Sequence, residues 1–389
     1  MNPSSKGWLK EYYSYFEKLE APEIIQKDNT KYIYNLLSES SIIFSIPLEK
    51  SNALHPNLEQ WNFKEKIKIT FAYLLFKISE SYILKNKFLV HVDEVYERFA
   101  QSQNSELSTE EYIDSIINGK KNSIFLNAYN SNPWLFFHLI EFYLFLEKEN
   151  ITNSLDLRFN IVKGMILAAK SNESVSKKED RLLKRYIENG GFDTIKKEKL
   201  YSYTKIGTSF LEPNFENENL LIKQSAYDLA LLALMTDSKI DQSELAFINQ
   251  FADQLGIDLQ DQYLSFSLIQ DIHLNHYKSL PYLNKIYTVK SIRNIVSHNF
   301  TYVIKKNSGM IVNEIRESKE LISLLRKSTN SKLSTEEKAK VKEQILDLIK
   351  TIPSLSIFMI PGGTIILPIL MKILPDDLLY PSSFVNKNK

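Results

Sequence analysis

Few side chains in this chain are spaced for chemistry. Asp237, Asp241 and Glu244 fall within the stretch T-D-S-K-I-D-Q-S-E, residues 236–244. Three carboxylates at that spacing could offer oxygen ligands to a divalent cation. The loop lacks the acidic density of an EF-hand, and capping of the next helix is the plainer assignment. His273 and His276 stand three apart, with Asp271 nearby. They could set two imidazoles on one helix face for a metal, but no partner motif of the H-E-x-x-H kind accompanies them. Ser297-His298 has no nucleophile elbow and no identifiable acid. No catalytic residue is expected, and no metal beyond the weak acidic candidates.

Composition narrows the chemistry further. The chain contains no cysteine, which excludes disulfides, a thiolate nucleophile and Cys-type zinc sites. It has only 10 Gly in 389 residues, and neither a G-x-G-x-x-G nor a phosphate-loop pattern. Hydrolase, kinase and dehydrogenase activities are therefore not expected, and no cofactor is expected. Lys and Arg total 48 against 47 Asp and Glu, so there is no basic excess for nucleic-acid binding. The N-terminal MNPSSKGWLKEYYSYFEKLE has no apolar h-region, so a signal peptide is not expected.

The elements that must carry these residues read as helices. Hydrophobic residues make up 43% of the chain, with 21 Tyr and 22 Phe, which suits aromatic and Leu/Ile stripes. Phe71, Leu74, Leu75 and Ile78 follow the i, i+3, i+4, i+7 rule within a helical region spanning residues 1–155. The run Pro133–Leu146, PWLFFHLIEFYLFL, is apolar nearly all round and predicts a buried helix that encloses His138 and Glu141. Pro133 suits its first turn. The run is too short to cross a bilayer.

Residues 156–320 contain an internal repeat at an offset of 65 residues. Ile166–Glu179 aligns without a gap on Leu231–Glu244. The alignment pairs Val175 with Ile240, Leu182 with Phe247, Leu183 with Ile248 and Tyr186 with Phe251. Each copy predicts helix, short polar loop, helix. Ser176 with Glu179, and Asp241 with Glu244, have the spacing of capping boxes. Gly190-Gly191 and Gly256 predict the ends of the second helices. The second copy, with its D-x-x-I-x-x-x-E loop, resembles the helix–loop–helix of tellurite-resistance TerB-like domains. That resemblance implies an all-helical bundle. The first copy has Asn172 and Ser176 where the second has Asp237 and Asp241, so a carboxylate cation site would be half dismantled.

The third region, residues 321–389, opens on a capping box at Ser334 and Glu337. Val341, Ile345, Leu348 and Ile352 follow at helical spacing. The chain then enters TIPSLSIFMIPGGTIILPILM, residues 351–371, without one charge and bracketed by Lys350 and Lys372. At 1.5 Å per residue this is about one membrane span. Pro353, Pro361, Gly362, Gly363 and Pro368 would break a helix in water. The segment therefore reads as a kinked span, a re-entrant pair of half-helices, or a hairpin buried in protein.

The stretch Leu321–Phe384 resembles the opening part of the Letm family of membrane proteins. The matching residues are Leu333–Lys338, Ile345–Pro353, Phe358–Pro361, Leu367–Pro375 (with Lys372) and Leu379–Phe384. It is also similar to a group of bacterial Letm-related biofilm-associated proteins. The resemblance implies membrane association through residues 351–374. Letm proteins continue after the P-S-x-F element into a domain resembling 14-3-3 that is thought to bind ribosomes. No matching residues follow Phe384, so ribosome binding is not expected. Many Letm sequences carry a glutamate in the apolar segment where this chain has Thr364, and threonine cannot titrate, which puts cation/proton exchange in doubt.

The expected fold is thus all-α, with multi-helix bundles, a TerB-like middle region and a C-terminal hydrophobic, Pro/Gly-kinked membrane-type segment. The expected function is a non-catalytic adaptor or scaffold on the cytoplasmic face of an inner membrane. Its expected partners are membrane lipid and an unidentified protein. A part in cation/proton homeostasis, by family analogy, and a soluble interaction module with a buried apolar tail are the alternatives.

Overall fold

A computed structural model describes residues 2–19, 29–47, 60–80, 88–103, 105–117, 131–148, 154–172, 175–205, 211–236 and 242–272, and most positions from 313 to 344. Among them the fold is all-α, with no β-strand. They fall into two compact units, one built from the helices up to Leu255 and one from those after it.

The first unit opens with five helices: α1 (Trp8–Leu19), α2 (Asn29–Glu39), α3 (Phe63–Glu80), α4 (Phe88–Ser102) and α5 (Thr109–Ile117). Phe71, Leu74, Leu75 and Ile78 of α3 are all buried, as their spacing predicts. α6 (Leu135–Leu146) lies against α3 and α4, and its residues from Leu135 to Leu144 are buried except His138. Pro133 lies before the first turn rather than in it. The Asn132 side chain turns the chain into the helix by accepting from the Trp134 amide at 3.0 Å. With 12 residues, α6 is a core helix; no helix among the described residues is long and apolar enough to cross a membrane.

The repeat follows as two sets of helices. The first is α7 (Ser154–Ala169), α8 (Lys177–Asn189) and α9 (Thr194–Tyr203); the second begins with α10 (Leu220–Leu234) and α11 (Gln242–Leu255). The leading helices, α7 and α10, make the most extensive helix–helix contact of the unit. A Cβ on Gly164 of α7 would stand 3.0 Å from Phe251 of α11, so glycine lets the second copy's aromatic close on the first. At the first loop, Ser176 and Glu179 form a reciprocal capping box. Ser171 Oγ donates to the Ala168 carbonyl at 2.7 Å, and Thr236 Oγ1, 65 positions on, donates to that of Ala233 at 2.9 Å.

Buried hydrogen bonds link helices on either side of position 155. Trp134 Nε1 donates to the Tyr186 carbonyl at 3.0 Å, and the buried Tyr34 hydroxyl of α2 donates to Asp228 of α10 at 3.0 Å. The second unit contains α12 (Leu259–Asp271) and α13 (Lys319–Asn330). Ser318 caps α13, accepting from the Leu321 amide at 3.2 Å. Ser334 and Glu337 exchange bonds of 2.9 and 3.2 Å, the capping box read from the sequence. Val341 is buried. Residues 345–389 lie outside the described residues.

Candidate functional site

Of the three acidic candidates, Glu244 is described, and Asp237 and Asp241 lie outside the described residues. Glu244 sits in the first turn of α11, buried at 1% exposure. Its carboxylate accepts from Asn172 Nδ2 at 2.8 Å. Asn172 belongs to the loop after α7, in the other copy. A side chain that the sequence assigns to local capping thus clasps the two copies together. His273, His276, Ser297 and His298 lie outside the described residues, as do Pro353, Phe358, Pro361, Gly362, Gly363, Pro368, Lys372 and Pro375. No cluster of three or more His, Asp or Glu placed to hold a metal occurs among the described residues.

Among the described residues, a buried polar cluster gathers around Glu141, which the sequence shows only as an acid inside an apolar helix. Glu141, in the apolar helix α6, is 2% exposed. Nη2 of Arg158, on α7, donates to its two oxygens at 3.1 and 3.0 Å. Ser154, at the start of α7, donates to Oε1. His138, one turn back on α6, puts Nδ1 3.3 Å from Oε2. The guanidinium also lies over the rings of Phe137 and Trp134, with centroids at 5.0 and 5.8 Å. Burial alone would raise the carboxyl's pKa; Arg158, His138 and Ser154 overcome it and hold Glu141 at about 2.

Chemically, this cluster is closed. The serine hydroxyl donates to the carboxylate rather than to the imidazole. A nucleophile needs the reverse order, serine to base and base to acid. No family model, no curated protein and no solved structure matches this chain. The cluster is an ion pair with its flanking donors, and it ties α6 to α7.

A second buried group extends from it. Tyr96 of α4 packs its ring against that of Tyr112 of α5, tilted by 60° with centroids 5.8 Å apart. Burial raises both hydroxyls, Tyr112 to about 12, and the Glu141 charge adds to each. Tyr13 of α1 is raised by burial and then by Asp93 of α4. These hydroxyls stay protonated at neutral pH and can act as donors. The signal that could have found them is the tyrosine-rich face of α1 and the lone acid in α6. Neither names its partner helix.

Proposed function

We propose that this chain is a non-catalytic helical adaptor or scaffold, held at the inner face of a membrane by residues 351–374. The observation that carries the anchor is the uncharged run from Thr351 to Met371, bracketed by Lys350 and Lys372. Lysines at both ends of such a run sit where interfacial cations belong. The resemblance of this segment to the Letm family supports the same reading, and the resemblance of the middle region to TerB-like domains supports a partner-binding bundle. The helices favour a scaffold because two buried carboxylates are spent on internal contacts, Glu141 of α6 on Arg158 of α7, and Glu244 of the second copy on Asn172 of the first. Transport of cations or protons would call for an ionisable group inside the apolar run, and the run has none.

Fractionation of cells expressing the full chain and a truncation ending at Lys332 tests the anchor. The full chain is expected with the membranes and the truncation in the soluble fraction. Both in the soluble fraction would leave the apolar run as protein core and favour a soluble interaction module.

A further inference from the structure

The N-terminal helix is attached to the bundle in an unusual way. On its inner face Trp8, Leu9, Tyr12 and Tyr13 are buried. Its free N-terminal amides are satisfied by another helix: Glu110 of α5 accepts from the Gly7 amide at 2.8 Å and from the Leu9 amide at 3.2 Å. A carboxylate there also meets the positive end of the helix dipole. Lys68 of α3 reaches the Pro3 carbonyl at 3.1 Å and lies over the Trp8 ring.

Helix α4, which packs against α1, carries a half-buried carboxyl that is incompletely held. One carboxylate oxygen of Asp93, on α4, is buried and accepts no hydrogen bond. The buried Tyr13 hydroxyl, on α1, likewise makes none. Around Asp93, α1 presents Lys10 and Tyr13, α5 presents Glu110, and α4 adds Glu97. Of the neighbouring helices, α3 carries Lys68, which is paired with Asp114 at 2.6 Å, and α6 carries Glu141, which is matched by Arg158. Two acids and one lysine thus act on a poorly solvated carboxylate. We propose that α1 is a proton-gated latch, seated firmly on α4 and α5 while Asp93 carries a proton and loosened when that proton leaves.

The sign follows from the surroundings. Burial first, then Glu97 and Glu110, raise the Asp93 carboxyl to about 6, against the opposing pull of Lys10. A raised folded-state value means that the seated helix favours the protonated form. The stabilisation is complete at low pH and is lost as pH rises through about 6. Lifting α1 uncovers the carboxyl and returns it toward 3.8. Between about pH 5 and about pH 7.5 the opening equilibrium then changes by at most roughly tenfold.

Hydrogen exchange on the full chain, expressed as protection factors to remove intrinsic pH effects, reads this directly in peptides covering Trp8–Leu19. Wild-type protection of α1 is expected to fall toward tenfold between the two pH values. Asp93→Asn, which keeps the shape and loses the titration, is expected to stay flat and high. Histidines titrate in the same interval, and the variant leaves them in place. Wild-type α1 protection that does not change with pH overturns the proposal, whether or not the variant folds. So does an equal change in Asp93→Asn.

Discussion

At the scale of single residues, the Glu141–Arg158 pair is a buried, hydrogen-bonded ion pair that joins α6 to α7. Arg158→Ala would strand a carboxylate that is 2% exposed, and removing one partner of a buried pair costs about 3–5 kcal/mol. Urea unfolding at neutral pH is expected to show that loss, whereas a change under about 1 kcal/mol would mean that His138 and Ser154 suffice. The pair also sets an acid limb. Because Glu141 is held near 2 against an ordinary 4.5, its contribution is present above about 4.5 and drains away as pH falls toward 2. Wild-type stability should therefore drop more steeply over that interval than that of Glu141→Gln, and parallel curves would rule the effect out. The sequence shows Glu141 as the acid inside an apolar helix, and so shows that it needs a partner. It does not show Arg158, which lies 17 residues away on another helix. Hydrophobic periodicity tells which face is buried, not which side chain of a neighbouring helix meets it.

At the scale of elements, the repeat was legible because its capping signals are local. Ser176 and Glu179 have the spacing of a capping box and form one. Ser176→Ala is expected to cost about 1 kcal/mol, measured by thermal unfolding, and a neutral result would mean that buried Glu179 is held by the core alone. The repeat also runs further than the residues that announced it. Gly191 and Gly256, 65 positions apart, both have positive φ, 80° and 69°. Asp193 and Asp258, again 65 apart, each accept from the amide three residues on, at 2.7 and 2.8 Å, and open α9 and α12. Each copy is thus helix, helix, glycine turn, aspartate-capped helix. The pattern G-x-D was present in both copies of the sequence. Its meaning was hidden because the side chains of α9 and α12 do not correspond in polarity: Ile195 aligns with Gln260, and Leu200 with Ser265. The cross-copy bond from Asn172 to Glu244 was hidden for another reason, since an alignment pairs equivalent positions and these two are not equivalent.

At the scale of the whole molecule, the all-helical class follows from scarce glycine and long apolar stripes, and the described residues agree with it. Region boundaries are less legible. The sequence suggests divisions near 155 and 320, while the contacts group the helices up to Leu255 in one unit. Composition does not change where a buried tryptophan bonds across a boundary. The apolar segment 351–374 is where sequence physics is most explicit about function. It contains ten large apolar side chains between Ile352 and Leu370 besides its methionine. At about 1.5–3 kcal/mol each, their burial outweighs the few backbone groups that the prolines orphan. That balance favours burial in lipid or in protein alike, and alkaline carbonate extraction of membranes separates the two. The full chain is expected to remain in the pellet, and Ile366→Asp to release it, because a carboxylate at the middle of a bilayer costs about 2.5–3.5 kcal/mol. Full-length protein extracted into the supernatant would contradict the anchor on which the proposed function rests.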